Sequence, residues 1–385
     1  MNAPYGGRLV DRLVKGGRAE KLREEARELQ PIRLSAEEEL DLDKIAIGAY
    51  SPLEGFMTRE ELESVISKGE LPSGLPWTIP ILLDARREEV RFSEGDEVRL
   101  EGETFGALGV MRVEEIYEVD QKEVAQRVYG TLDPRHPNVR RLLTKGEGVA
   151  IGGRVELIER PAFNGVVGPY ELTPSEVRAL ISERGWRTVV GFQCRNPPHL
   201  GHEYIQRLAM ELYAGLLIHP VTGLLKEDDY PPEAIIEAYE ALVGNYYPKG
   251  KVLLASLGIE MRYAGPKAAV FLAIIRRNYG CTHFVVGRDL AGVGGFYDPY
   301  EAQQVLRSMR DELGIEPICV KEVYYCGKCG WGVTENTCTH VGWSYNVTTI
   351  SQTYIRSVLR RGGTVPAGVL REEVLEVLRK YYQRN

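Results

Sequence analysis

The stretch GFQCRNPPHLGHEYIQRL, residues 191–208, sets an arginine, an asparagine and two histidines between an apolar run and an amphipathic helix pattern. Arg195 can offer a planar fork of N–H donors to a tetrahedral oxyanion. His199 and His202 lie three apart, so in a first helical turn both imidazoles project from one face, beside backbone N–H groups without an intrahelical partner and the positive end of the helix dipole. Pro197 and Pro198 stiffen the approach, and Gly201 leaves room for a phosphate to come close. Together these residues predict an anion cradle; the competing reading is a plain helix start with two surface histidines.

Two further stretches offer related chemistry. TTISQTYIRSVLRRGG, residues 348–363, opens a helix with the hydroxyls of Ser351 and Thr353 and sets Arg356 a turn later. By itself this reads as an ordinary helix cap. THFVVGRDLAGVGGFYDPYEAQ, residues 282–303, follows an apolar strand with a glycine-rich loop, where backbone amides can approach an anion, Arg288 adds charge and Asp289 can accept hydrogen bonds from a ribose. Its position after a strand is what separates it from a common turn.

The cysteines suggest a separate metal site. YYCGKCGWGVTENTCTH, residues 324–340, spells C-x2-C-x8-C-x-H. Cys326 and Cys329 in a glycine-flanked turn aim two thiolates at one point, and Cys338 with His340 completes a tetrahedron for Zn²⁺; full protein ligation makes the role structural. His340 has the tightest spacing of the four. Cys194, Cys281 and Cys319 read as small buried apolar residues. His136, in DPRHPNV, reads equally as a surface-loop and a substrate-facing residue, whereas His219 and His283 flank apolar strands and read as satisfied core histidines.

The elements that must position these residues follow from the apolar pattern. RTVVGF, GLLIHPVTG, KVLLAS and THFVVGRD are continuous apolar runs, alternating with helical patterns such as EYIQRLAMELYA and KAAVFLAIIRRNYG. They predict βαβ units and a parallel sheet buried on both faces, with ligands bound beyond the carboxyl ends of its strands. The strand ahead of the histidines is placed at residues 188–192. Upstream, short alternating runs from WTIPILLDA to VRFSEGDEVRLEGETFGALGVMRVEEIYEVD predict a β-rich N-terminal domain, and the first thirty residues read as a solvated helix. The expected domains are residues 1–163, 164–318 and 319–385, the last holding the cysteine cluster and a final pair of helices.

Composition bounds the partners. A chain of 385 residues, 43% of them apolar, suits two or three globular domains. A formal charge of −7 works against broad adhesion to nucleic acid, so any anion site must be local. There is neither a charged-then-apolar leader nor an apolar run of about eighteen residues, so a cytoplasmic protein with no membrane partner is expected.

Taken with I-S-x-T, the H-x-G-H pair matches the signature of the nucleotidylyltransferase superfamily, where two helix N-termini face the phosphates of a nucleoside triphosphate. The chain more specifically resembles the ATP sulfurylase (sulfate adenylyltransferase) family. Gln193, Arg195, Asn196, Pro197, His199, His202 and Glu203 stand in Q-x-R-N-P-x-H-x-x-H-E, and Gly287–Gly292 is similar to G-R-D-H-A-G. IAIGAYSPLEGFM, YGTLDPRHPNV and MRYAGPKAAVFLAIIRRNYGCTHF extend the likeness over most of the chain.

The resemblance implies an α/β fold: a PUA-like N-terminal domain, a Rossmann-like nucleotidylyltransferase catalytic domain and a small zinc-containing C-terminal region. It implies a homodimer that converts ATP and sulfate reversibly to adenylyl sulfate and pyrophosphate, with Mg²⁺ on the triphosphate. Gln193, Arg195 and the backbone of Ala291 match sulfate-binding positions; Gln193, Asn196, His199, His202, Gly287, Arg288, Asp289, Ser351 and Thr353 match the ATP side. Arg195 is then expected to orient sulfate, and His199, His202, Asn196 and Arg288 to stabilise charge on the phosphates. Leu290 stands where the family usually has histidine, Cys194 where threonine is common and Gln352 where a small residue is common. For Mg²⁺, Asp228 and Asp229 are candidates against a solvated acidic turn, the commoner reading. A nucleotidylyltransferase acting on a phosphorylated alcohol is the alternative enzyme. An RNA-binding protein would need a basic aromatic stripe, of which only RHPNVRR is present, and no G-x-x-x-x-G-K-[ST] marks a fused kinase.

Overall fold

The computed structural model describes residues 2–145, 148–163, 165–224, 229–342, 347–350, 352–363, 365 and 368–382. The N-terminal part is built on a six-stranded sheet: β1 (Gln30–Leu34), β2 (Gly55–Phe56), β3 (Asp84–Ala85), β4 (Glu97–Gly102), β5 (Leu108–Glu118) and β6 (Val149–Glu159), in the order β1-β4-β5-β6-β2 with β3 also on β6. In β4, Val98 and Leu100 are buried while Glu97 and Glu101 face water, the period-two pattern of a half-buried strand. The helix Ala36–Ala46 buries Leu40, Leu42 and Ile45, and starts at a reciprocal capping box between Ser35 and Glu38.

Two local expectations differ from the structure. Trp77, Ile79, Ile81 and Leu83 alternate into the core as WTIPILLDA suggests, but only Asp84–Ala85 joins the sheet as a strand. Prolines at 76 and 80 remove ladder donors there. Near the start only Gly17–Ala26 is helical. Before it, Tyr5, Val10 and Val14 are buried; the Tyr5 N–H donates to Asn278 Oδ1 at 2.8 Å and its hydroxyl to the Pro76 carbonyl at 2.7 Å. That extended segment straps the two halves of the molecule together.

The second sheet comprises β7 (Val189–Cys194), β8 (Gly215–Pro220), β9 (Val252–Leu254), β10 (His283–Val286) and β11 (Glu316–Cys319), all parallel, in the order β11-β10-β7-β8-β9. The chain builds outward from β7 in one direction, then returns to its other side with β10. The crevice between the carboxyl ends of β7 and β10 is therefore the topological switch point, where open α/β sheets bind ligands. A third, antiparallel sheet of β12 (Tyr324–Cys326), β13 (Trp331–Val333) and β14 (Val347–Thr349) lies against the helix Leu200–Leu212, where a Cβ on Gly332 would come 3.3 Å from Leu200 Cγ. The helices Gln352–Arg360 and Glu372–Tyr382 cover one face of the parallel sheet through Ile355, Leu359, Val374 and Leu378. No helix among the described residues is long and apolar enough to cross a membrane.

Candidate active site

Gln193 and Cys194 are the last residues of β7, two beyond the expected strand end, and the chain turns through residues 195–198 into the helix Leu200–Leu212. His199 is the N-cap of that helix. Its Nδ1 accepts the N–H of Gly201 at 3.0 Å and of His202 at 3.4 Å, Leu200 N–H donates to the Val369 carbonyl at 2.9 Å, and Glu203 N–H donates to the His199 carbonyl at 3.0 Å. The amides expected to await an anion are thus already bonded. Because Nδ1 accepts, the His199 proton sits on Nε2, which makes the imidazole edge the donor. Gly201 also serves the ring: a Cβ there would come 2.9 Å from His199 Cε1.

The two imidazoles do share a face, stacked with centroids 3.8 Å apart, and the Phe192 ring stands edge-on to His202 at 5.6 Å. Burial pushes His202 down to about 4. Burial, and next the neighbouring His202, hold His199 well below its ordinary value. Both rings are neutral at pH 7 and act as dipolar donors rather than cations.

Arg195 is held on two sides. Its Nη1 donates to Asp229 Oδ2 at 3.1 Å and to the Tyr263 hydroxyl at 2.7 Å, and its guanidinium lies 5.1 Å from the Tyr263 ring centroid. The other oxygen of Asp229 accepts from Arg356 Nη1 at 3.1 Å, which also reaches Asn196 Oδ1 at 3.4 Å. The Asp229 side chain is only 4% exposed, so the solvated acidic turn expected from the sequence is instead a carboxylate clamp between two guanidinium groups. Asp228 lies outside the described residues. Tyr263 is fixed in turn by the N-terminal part: its N–H donates to Asn138 Oδ1 at 3.2 Å, and its carbonyl accepts from His136 Nε2 at 2.9 Å. His136 is fully buried, neither in a surface loop nor facing substrate. His219 bonds the Ser256 carbonyl at 3.1 Å in the core, and His283 is half-buried beside Tyr213.

The loop after β10 faces this network. Asp289 and Ala291 adopt φ of 56° and 57°, the left-handed region that non-glycine residues seldom enter. The turn is closed by Asp289 N–H to the Pro299 carbonyl at 2.7 Å and Gly265 N–H to the Ala291 carbonyl at 3.1 Å. At Gly292 a Cβ would lie 1.9 Å from Asp289 Oδ1, so a larger residue there would displace that carboxylate. Arg288, 46% exposed on its side chain, pairs with Glu322 at 3.5 Å. Burial raises the Asp289 carboxyl, against the pull of Arg288 and Arg195.

Between the two loops lies a cavity of about 350 Å³. Its walls bring together Gln193, Arg195, Asn196, His199 and His202 on one side with Gly287, Arg288, Asp289 and Ala291 on the other. Thr353 is exposed and forms no part of these walls, and Ser351 lies outside the described residues. The helix Gln352–Arg360 still reaches the first loop, because Gln352 Nε2 donates to the Pro197 carbonyl at 2.9 Å. Ile350, just before it, lines the cavity.

Cys326, Cys329, Cys338 and His340 converge, with their ligand atoms all within 4.8 Å of one another. Tetrahedral Cys₃His ligation requires S···S edges of about 3.8 Å and S···N edges of about 3.5 Å. Cys326–Cys338 is 3.8 Å, Cys329–Cys338 3.6 Å, and His340 Nδ1 lies 3.5, 3.5 and 3.3 Å from Cys326, Cys329 and Cys338. These four could hold a metal ion. Cys194 and Cys281 are buried as expected, while Cys319 is only partly so.

The ATP-sulfurylase family model matches residues 168–381, and a PUA-like domain model matches residues 2–160. The chain belongs to the ATP sulfurylase family. Sulfate adenylyltransferases from Hyperthermus butylicus and Symbiobacterium thermophilum are each 47% identical to it, covering 99% and 98% of this chain and 96% and 95% of their own. The one from Pyrococcus abyssi is 44% identical, covering 99% of this chain and 98% of its own. A solved structure described as a hexameric APS kinase from Thiobacillus denitrificans aligns with a TM-score of 0.78 at 25% identity, over 99% of this chain and 68% of that one.

Within this ATP sulfurylase family member, several residues that hold the site escaped sequence reading. In the sequence Asp229 is weighed only for Mg²⁺, Tyr263 lies unmarked within MRYAGPKAAVF and Arg356 stands beside a helix start, and none is read as holding Arg195 or Asn196. Glu203, 3% exposed, receives Arg371 at 2.9 and 2.6 Å and Arg207 at 2.8 Å, tying the histidine helix to the C-terminal segment. Burial raises its carboxyl, but the bonds from Arg371 and Arg207 outweigh this and lower it. Leu290 lines the cavity and packs against the main core.

Proposed function

We propose that this chain is a sulfate adenylyltransferase: an oxygen of sulfate attacks the α-phosphorus of ATP in line, giving adenylyl sulfate and pyrophosphate, reversibly. The observation that carries the reading is Arg195, poised at the switch point by Asp229 and Tyr263 across one cavity from the glycine loop. The full-length likeness to sulfate adenylyltransferases supports it.

Sulfate binds Gln193, Arg195 and the Ala291 N–H. ATP binds Gln193, Asn196, His199, His202, Gly287, Arg288 and Asp289; Thr353, exposed outside the cavity walls, takes no place in the ATP site. Sulfate is a weakly nucleophilic dianion, so the barrier is charge repulsion on approach to the triphosphate, which Arg195 and Arg288 offset. No general base is required, since sulfate is fully ionised at neutral pH. Burial pushes the Cys194 thiol up to about 12, so it supplies no covalent nucleophile. Catalysis is then positioning and charge stabilisation, with the His199 Nε2–H, His202, Asn196 and Arg288 serving the transferring and leaving phosphates.

Mg²⁺ enters with the triphosphate; Asp229 is taken by two arginines, and among the described residues only the Cys/His group gathers ligands for an ion. Cys326, Cys329, Cys338 and His340 hold a structural Zn²⁺, their edges fitting its tetrahedron. The protein works in the cytoplasm as a homodimer, with domains at 1–163, 164–318 and 319–385. With MgATP and pyrophosphatase, phosphate release should depend on sulfate and fall by about 10²–10³ in Arg195→Ala. Release that ignores sulfate, or equal rates for both proteins, refutes the reading.

A further inference from the structure

Arg276 lies near the end of the helix Pro266–Asn278 and is fully buried. Its Nη2 makes one long bond, 3.4 Å, to the His219 carbonyl, and the guanidinium lies 5.6 Å from the Phe284 ring centroid, while Nε and Nη1 have no hydrogen-bond partner. Burial lowers the guanidinium only to about 10, so it is a cation at neutral pH. Asp43 and Glu171, whose charges act on the neighbouring Tyr279, are already balanced by Lys44 and Arg160. Arg276 makes no ion pair among the described residues. A buried cation without a counter-charge is costly and calls for a compensating anion.

Its direction shows where that anion belongs. A Cβ on Gly191 would come 2.8 Å from Arg276 Cγ, so the side chain crosses β7 on the face to which Gly191 points. Gln193, two residues further, points to the same face. Cross-strand register pairs Gln193 with His219, the residue whose carbonyl receives the guanidinium. The charge therefore lies at the level of Gln193, behind the cavity wall. Gln193 Oε1 is itself buried without a partner, as are His219 Nδ1 and Thr222 Oγ1. Gln193 and His219 are paired across the strands, and buried polar atoms without partners on such neighbours are the kind that ordered water satisfies.

We propose that Arg276 is the buried counter-charge of the sulfate pocket, a positioning residue that reaches the dianion through the Gln193 amide. Arg276, through water, holds Gln193 Oε1, which turns Nε2 toward the cavity and polarises it as a donor. The charge is unbalanced in the free protein and balanced when a dianion binds. This rests on the placement of sulfate at Gln193 and Arg195 given above.

The test uses the full chain with Arg276→Met, Arg276→Gln and Arg276→Lys, reading KM for sulfate and for MgATP, inhibition by perchlorate as a tetrahedral monoanion, and the unfolding midpoint without ligand. In the Met and Gln variants the sulfate KM should rise by about tenfold or more while that of MgATP stays within about twofold. Perchlorate should lose less than sulfate, Arg276→Lys should recover most of the loss, and the midpoint of Arg276→Met should be unchanged or higher. A sulfate KM within about twofold of wild type, a parallel loss for sulfate, perchlorate and ATP, or failure of Arg276→Met to fold overturns the proposal. An unchanged sulfate KM in Arg195→Ala would instead overturn the placement beneath it.

Discussion

Tyr263→Phe removes one oxygen and keeps the ring beneath Arg195, which makes it a clean probe of how the guanidinium is held. A hydrogen bond to a charged partner contributes about 1.5–3 kcal/mol when its loss leaves that partner unmatched. Here the loss is partial: Arg195 keeps Asp229 at 3.1 Å, keeps the aromatic face, and its side chain is 29% exposed, so water replaces some of what is lost. About 1–2 kcal/mol should remain, or roughly five- to thirtyfold in kcat/KM for sulfate. Sulfate-dependent pyrophosphate release at saturating MgATP reads this. The unfolding midpoint should move by less than about 2 °C, because no core contact changes. In a double-mutant cycle with Arg195→Ala, the Tyr263 effect should largely vanish. A full Tyr263 effect in the Arg195→Ala background, or no effect in wild type, would show that the hydroxyl does not act through Arg195.

Arg371→Ala leaves the buried Glu203 with Arg207 alone; discounting for the 31% exposure of Arg371, a stability loss of about 1–3 kcal/mol is expected by denaturant unfolding, and no loss would mean the pair is idle. With a metal on the Cys/His cluster, as proposed above, chelation or Cys329→Ser should lower the unfolding midpoint and activity together, because the knuckle sheet packs on Leu200 beside the cap of the histidine helix; retained activity at full loss of metal would refute that coupling. The depressed histidines set a pH window. Between about 6.5 and 4 the unfolded chain takes up protons that folded His202 does not, so stability should fall as pH drops through that range. His202→Gln should flatten the slope of midpoint against pH, and an identical slope would exclude His202 as its source.

What was legible in the sequence was whatever lay within one element and its flanking turn. The parallel strands announced themselves as continuous apolar runs because both of their faces are buried, and the ligand-binding end of the sheet followed from where those runs end; the switch point did not, because it depends on β10 pairing with β7. The Cys/His cluster that could hold a metal ion was legible for the same reason, a knuckle and its partners lying within residues 326–340. The contents of the helix start were less so. Spacing predicted that His199 and His202 share a face, yet nothing local reveals that the His199 ring turns back to occupy the Gly201 and His202 amides. Asp229 looked like a surface turn because its partners, Arg195 and Arg356, are 34 and 127 residues away in the chain. Long-range ion pairs leave no periodic trace.

The proposed division at residue 163 is similarly a property of chain order more than of packing. Tyr50 and Trp77 of the N-terminal part pack on Phe271 of the catalytic part, with centroids 5.0 and 5.5 Å apart, inside one hydrophobic core. Arg262, buried beside Tyr263, pairs with Asp41 at 2.5 Å and Glu37 at 2.9 Å, both from the N-terminal part. The residues that fix Tyr263, His136 and Asn138, come from there as well. A piece beginning at residue 164 would expose that shared core and lose the Asp41 and Glu37 pairs of Arg262, so it should not yield a cooperatively unfolding protein. In the intact chain, Asn138→Ala should loosen Tyr263 and reduce kcat/KM for sulfate by a factor similar to Tyr263→Phe, although Asn138 contributes nothing to the cavity wall. If Asn138→Ala lowers only the unfolding midpoint while kinetics at a permissive temperature match wild type, the N-terminal part is a stabilising neighbour and not part of the scaffold that aims Arg195.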